Sequence, residues 1–358
     1  MNTGKAMKRI SIAASIAFCA VVGASYSAAQ RPTLHSPWSG TPVRMTSAPY
    51  HCPQAVHLSP DLATEGFYAD SIGSVIDPVK MKAYAESSGP YKDLGNVAVA
   101  AADAFRTTGS KEAAACVRQL LNAAATDRVF TGKMSSTQAY FVQGWVIGAL
   151  AISYLKVRDS GVIPTDEAKK IVAWMKEVAK QTLDFYEGRT AFTGTWQKNN
   201  HRYWAGVEIA SIGIAANDRA MLEWAVAAYR EGIDQITPEG TMSEEMRRGQ
   251  RALHYHLYAS SPLVYIAECG EDNGIHLYAE RNHALQRLVT RSTTGLVDNK
   301  YFEQQSGVKQ DAPNGPPTAE EIGWAAAYVK RFPDPTISSL IKQAPSLSYM
   351  YLGGLPPN

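Results

Sequence analysis

Apolar and polar positions along this chain repeat at helical rather than strand spacing. Gly95 to Thr108 is Ala-rich, Gly109 suits a helix end, and Ser110 suits the cap of the next helix. That next helix is predicted to run to about Ala125, with Cys116, Leu120 and Ala124 on one stripe. Gln138 to Leu155 forms another helix. Pro164-Thr165 opens a further one, with Asp166 and Glu167 in its first turn to suit the dipole. Ile171, Trp174, Met175 and Val178 then fall at i, i+3, i+4 and i+7. Asn200 to Ala216 follows, and Asn217-Asp218 restarts a helix bearing Leu222, Val226, Tyr229 and Ile233. Met242 to Tyr258, Pro262 to Glu271 and Ala279 to Arg291 complete the series. The short connections predict antiparallel helical hairpins, in an all-α solenoid or a closed α/α toroid. No fixed-period repeat supports the solenoid. Thr293 to Thr318 is rich in Gly, Pro, Asn and Gln and shows little periodicity.

The start of the chain has a different pattern. Lys5, Lys8 and Arg9 precede an uncharged apolar stretch, Ile10 to Gly23, and Ser27-Ala28-Ala29 offers small residues for cleavage. This predicts a secretory signal over 1–29 and one domain over 30–358, exported to the periplasm. The apolar stretch is too short to cross a bilayer, and no later segment looks long and apolar enough to do so. The expected product is a monomer with no membrane attachment after cleavage.

Composition narrows the reading. With 358 residues and 45% hydrophobic content, the chain can bury a large core. Loss of Lys5, Lys8 and Arg9 from the 35 basic residues leaves 32 against 33 acidic, so nothing points to nucleic acid. An anionic substrate must then be drawn by a local basic cluster. Cys52, Cys116 and Cys269 remain after cleavage, which suggests one disulfide and one buried thiol. There is no CxxC pair, no HExxH, and no GxSxG, Walker or GxGxxG loop. His254 and His256 point apart on a helix, so no metal site is expected.

Three polar clusters could carry chemistry. The first is Asn199-Asn200-His201-Arg202-Tyr203-Trp204, at a helix start where free N–H groups favour an anion. The second runs from Glu244-Glu245-Met246-Arg247-Arg248 to Arg251, His254, Tyr255, His256 and Tyr258. The third is Gln138 with Trp145. On one continuous helix, Arg248 and Tyr255 would share a face, as would Gln138 and Trp145. The plainer readings are a helix cap for the Asn pair, a structural histidine for His201 and a solvated face for the Arg247, Arg248, Arg251 run.

The stretches NNHRYWAGVEIASIGIAANDRAMLEWAVAAYREGI and EEMRRGQRALHYHLYASSPLVYIAE resemble the alginate lyases of polysaccharide lyase family 5. FYADSIGSVIDP, CVRQLLN and QAYFVQGW resemble the same family in the same order, from about Cys52 to Asp272. The resemblance implies an incomplete (α/α) toroid of antiparallel hairpins with a deep cleft. It implies metal-free β-elimination of an anionic uronate polysaccharide, without a cofactor. By it, Asn200, His201, Arg248 and Tyr255 are the catalytic residues. Gln138, Trp145 and Trp204 bind substrate, and Tyr68 belongs to a lid loop near 64–90. The same resemblance pairs Cys52 with Cys116. The residue types suit that chemistry. Arg248 and Asn200, joined by His201 if it is protonated, would neutralise the uronate carboxylate. Tyr255, its pKa lowered by Arg248, would take the C5 proton and return one to O4. His201 as base, with Tyr255 as acid only, stays open. Mannuronate is the expected sugar, cleaved inside the chain, with glucuronan or hyaluronan as alternatives. A glycoside hydrolase and a non-catalytic periplasmic polysaccharide-binding protein are the readings from other classes.

Overall fold

The structure is a computed structural model that describes residues 1–3, 33–192, 194–311 and 315–357. The predicted signal lies almost wholly outside the described residues. Leu34 to Asn358 forms one compact unit.

Among the described residues the regular structure is all helix, with only isolated β-bridges. The principal helices are α1 (Pro78–Thr108), α2 (Lys111–Thr126), α3 (Thr137–Val157), α4 (Thr165–Tyr186), α5 (Asn200–Ala216) and α6 (Arg219–Ile233). They continue as α7 (Ser243–Met246), α8 (Ala252–Glu271) and α9 (Glu280–Val297). Shorter helices follow: α10 (Lys300–Ser306), α11 (Ala319–Ile322), α12 (Ala325–Arg331) and α13 (Pro335–Gln343).

Two layers follow from the sequence pattern. Helices α3, α5 and α8 are apolar almost all round and almost wholly buried. Helices α2, α4 and α6 are amphipathic and bury one stripe each. The inner helices pack in the order α1, α3, α5, α8, with α2, α4, α6 and α9 outside them. This is an (α/α) toroid of antiparallel hairpins. Small residues permit the close inner packing: a Cβ at Gly148 would sit 3.3 Å from the Glu208 Cα. Helix α3 is in fact long and apolar enough to cross a membrane, contrary to the reading of the sequence. Its apolar surface is spent on the core instead, with 94% of the window buried.

Three boundaries depart from expectation. Helix α1 begins at Pro78, where Asp77 accepts hydrogen bonds from the N–H groups of Val79 and Lys80, and it runs through Pro90. The predicted helix from Met242 to Tyr258 is broken into α7, a 3-10 turn at Gly249–Arg251, and α8. Gly249, at φ +56°, makes the break. Helix α8 then continues through Pro262 rather than restarting there. The Cys52–Cys116 disulfide ties the irregular N-terminal segment to α2, and Cys269 is free and buried.

Candidate active site

The inner ends of α3, α5 and α8 enclose a cavity of about 460 Å³. Helix α1, the loop 64–77, the stretch 248–251 and the C-terminal segment complete its walls. His201 enters from the first turn of α5. Asn199 caps that helix by accepting from the His201 N–H, and the Tyr186 hydroxyl donates to the His201 carbonyl at 2.9 Å. The imidazole lies flat on Phe141, with ring centroids 3.7 Å apart. Burial, and then the positive Arg248, push its pKa down to about 3. Both effects favour the neutral imidazole over the protonated form that the sequence left open.

Arg248 and Tyr255 meet across the broken helix rather than along one face. The guanidinium carbon stands 3.7 Å from the Tyr255 ring centroid. Its Nη1 donates to the Ile72 carbonyl at 2.6 Å. The Tyr255 hydroxyl is 2.6 Å from the Tyr68 hydroxyl, and Arg251 Nη1 donates to Tyr68 at 2.7 Å. Burial pushes the Tyr255 phenol above its ordinary pKa, and Arg248 opposes this without reversing it. The expected lowering by Arg248 is thus present but outweighed.

The remaining candidates divide. Gln138 and Trp145 line the cavity from α3, and Trp145 stacks on Tyr351 at 4.8 Å. Trp204 does not line it. It is 3% exposed and packs behind the wall against Tyr258, Tyr349 and Tyr351. Asn200 also lies behind the wall, fully buried. Its carboxamide nitrogen donates to both oxygens of Glu245, at 2.9 and 3.0 Å, so it does not present the open anion site predicted for the helix start. Tyr68 reaches the centre from the loop 64–77, whereas residues 78–90 of the expected lid already belong to α1.

Several polar atoms around this cavity are buried and make no hydrogen bond within the protein: Gln138 Nε2, His201 Nδ1 and Arg248 Nε. Buried polar atoms are nearly always paired, so such a cluster calls for partners from outside the chain, water or a ligand. Lys92, Arg248 and Arg251 supply positive charge to it. Among the described residues no group of three or more His, Cys, Asp and Glu could hold a metal ion. His256 is structural: its Nε2 accepts from the Met242 N–H.

Sequence reasoning missed Arg251, Phe141, Glu245, Glu320 and Tyr351 as parts of this neighbourhood. Arg251 and Glu245 stand inside a recognised cluster; the plainer reading of Arg251 is a solvated face, and Glu245 is given no role there. Tyr351 and Glu320 come from a C-terminal stretch without periodicity, and no local signal placed them here.

An invaginated, basic, tyrosine-rich cavity at the heart of an (α/α) toroid can be compared with known proteins. The pattern that describes the family "Alginate lyase" matches residues 61–302. The chain belongs to the alginate lyase family. A polysaccharide lyase from Stenotrophomonas maltophilia is 33% identical over 286 residues, which is 79% of this chain and 82% of that protein. An alginate lyase from Cobetia marina is 33% identical over 211 residues, 58% of this chain and 55% of that one. Among solved structures, alginate lyase A1-III from Sphingomonas species A1 has a TM-score of 0.69 at 19% identity, covering 85% of this chain and 83% of its own. A variant of alginate lyase A1-III complexed with tetrasaccharide gives 0.74 at 19% identity, over 91% and 89%. These structures share the fold. Family membership makes the protein a polysaccharide lyase and sets aside the hydrolase and binding-protein readings.

Proposed function

We propose that this alginate lyase family enzyme cleaves β-1,4-linked mannuronate within alginate chains, in the periplasm, by metal-free β-elimination. The observation that carries this reading is the placement of Tyr255, held between Arg248 and Tyr68 on the cavity wall. A family relative of the same fold is complexed with a tetrasaccharide, which supports an extended sugar chain in the corresponding cleft.

The C5 proton of a uronate is weakly acidic while the neighbouring carboxylate keeps its charge. Arg248, beside Tyr255, neutralises that carboxylate and stabilises the enolate-like transition state. Tyr255 as the phenolate takes the C5 proton, the C4–O4 bond breaks as the C4–C5 double bond forms, and the phenol so made returns that proton to O4. In mannuronate the C5 proton and O4 lie on one side, so a single residue serves both steps. His201 is disfavoured as the base, because an imidazole whose conjugate acid has a pKa of about 3 accepts protons poorly; as a neutral imidazole with an unpaired ring nitrogen it donates a hydrogen bond to the same carboxylate as Arg248. Tyr68 accepts from Arg251 and is free to donate to Tyr255, which stabilises the phenolate form. The loop 64–77 then acts as a lid that completes the site when it is down. Gln138 and Trp145 contact the neighbouring sugars.

The test follows ultraviolet absorbance from the new conjugated double bond on poly-mannuronate, poly-guluronate, poly-glucuronate and hyaluronan. The highest kcat/KM is expected on poly-mannuronate, unchanged in EDTA. A preference for poly-guluronate would overturn the mechanism, since its C5 proton lies opposite O4. A preference for poly-glucuronate or hyaluronan would correct the substrate alone. EDTA-sensitive activity restored by a divalent ion would overturn the metal-free chemistry.

A further inference from the structure

Glu245 is 1% exposed; the charge of Arg248 acts on it electrostatically, but the two form no direct ion pair. An enclosed ionisable group whose charge is not directly paired destabilises a fold. Its contribution is therefore to be sought in what it holds. Both carboxylate oxygens accept from the Asn200 carboxamide, and Oε1 also faces the Asn200 backbone N–H at 3.4 Å.

The two partners belong to different parts of the toroid. Asn200 is the first residue of α5 and is bonded directly to His201. Glu245 lies in α7, and its carbonyl accepts from the Arg248 N–H at 3.2 Å, in the turn that aims Arg248 at Tyr255. That turn is already tied to α8 at both ends. The Met242 N–H donates to His256 at 2.9 Å, and Gln310 bridges the Gly249 carbonyl and the Leu253 N–H. The carboxylate–carboxamide contact supplies the remaining tie, from this turn across to the start of α5.

We propose that Glu245 is a positioning residue for the elimination: with Asn200 it forms a clasp that fixes His201 on α5 relative to Arg248 and Tyr255. Glu245 touches neither the cavity nor the reacting atoms and works through the residues it fixes. The proposal deepens the lyase reading of this cavity and rests on it. The partial neutralisation of Glu245 accords with a grip by a neutral amide: burial raises its pKa to about 7, and the hydrogen bonds from Asn200 and the charge of Arg248 only partly oppose that.

The experiment compares wild type with Glu245→Ala, Glu245→Gln, Asn200→Ala and the Glu245→Ala/Asn200→Ala double variant, by kcat, KM and melting temperature. Rates are taken on whichever polyuronate wild type cleaves best, so a wrong substrate assignment changes the polymer and not the comparison. Glu245→Ala is expected to lower kcat roughly 10- to 100-fold with KM within about threefold, the scale of a small misplacement of catalytic groups. Glu245→Gln, whose carbonyl still accepts from the carboxamide, is expected to recover most of that loss. The double variant is expected to be no slower than the slower single one, since both remove the same contact. Should Glu245→Ala fail to fold, Glu245→Leu fills the volume without the acceptor and takes its place. The clasp is overturned if the alanine or leucine variant keeps more than about half of wild-type kcat. It is equally overturned if the losses multiply in the double variant, or if the glutamine variant is as slow as the alanine one.

Discussion

The Tyr68 hydroxyl lies 2.6 Å from the Tyr255 hydroxyl, although 187 residues separate them in sequence. One comes from a loop and the other from a buried inner helix. The contact means that the candidate base is fully surrounded only when the loop is in place. The Tyr255 side of this pair is fixed by packing, while the Tyr68 side depends on hydrogen bonds to Arg251 and on Gln250 and Arg248 gripping the loop carbonyls of Ser74 and Ile72.

Tyr255→Phe is expected to reduce kcat by at least 100-fold while leaving substrate affinity near wild type, because only the proton-transferring hydroxyl is removed. Tyr68→Phe is expected to lose roughly 10-fold, since it keeps the ring and loses one hydrogen bond to the phenolate. Turnover and equilibrium binding of an oligouronate check both. Retention of a tenth of wild-type kcat by Tyr255→Phe would rule out the assigned role.

A base with a raised pKa gives a rate that rises with pH. Burial holds Tyr255 above its ordinary value and Arg248 pulls it down. The ascending limb of log kcat/KM is therefore expected on the alkaline side of neutrality. In Arg248→Gln it moves to still higher pH, besides an overall loss. A limb that stays in place or moves to lower pH in that variant contradicts the electrostatic role of Arg248.

His201 should not titrate between pH 5 and 8, because its pKa is about 3 rather than 6.5. The unfolded chain takes up this proton first as pH falls. The stability due to the neutral imidazole is therefore full above about pH 6.5 and declines below it. Imidazole proton shifts followed by NMR are expected to stay flat over that range. A midpoint near 6.5 would show a solvated, ionisable His201.

Gly73 has φ +65°, and a Cβ there would sit 2.5 Å from Arg248 Nη1. Gly73→Ala strains the loop and pushes Arg248 off Tyr255. It is expected to lower kcat/KM about 10-fold or more with little change in melting temperature, a local left-handed penalty being about 1–2 kcal/mol. Kinetics and calorimetry on the same preparation separate the two effects. Wild-type kinetics in Gly73→Ala would show that the loop rests elsewhere during turnover.

Cys52→Ser opens a disulfide spanning 64 residues of sequence. Loss of such a link typically removes about 2–5 kcal/mol of stability. Denaturant unfolding should show that loss, with activity at low temperature retained, since neither cysteine lines the cavity. Unchanged unfolding would mean that the N-terminal segment is held by its other contacts.

The hydrophobic periodicity by itself determined the helical hairpins, because burying an inner helix needs apolar residues all round and burying an outer one needs a single stripe. It placed α5 to the residue, where Asn199 caps the start and Asn217 adopts the left-handed turn that ends it. Polar clusters, and the resemblance to alginate lyases, drew attention to Gln138, Trp145, His201, Arg248 and Tyr255, which the fold gathers around one cavity. Tertiary structure decided what local pattern does not encode. Gly249 breaks the helix that would have aligned Arg248 with Tyr255, and packing rejoins them as cation over ring. Asn200 turns to Glu245 instead of the cavity, Trp204 stays behind the wall, and Tyr351 arrives from a stretch with no periodic signal. The charge state of His201 likewise follows from enclosure beside Arg248. Desolvation is a property of everything packed around a group, and neighbours in space are not written as neighbours in sequence.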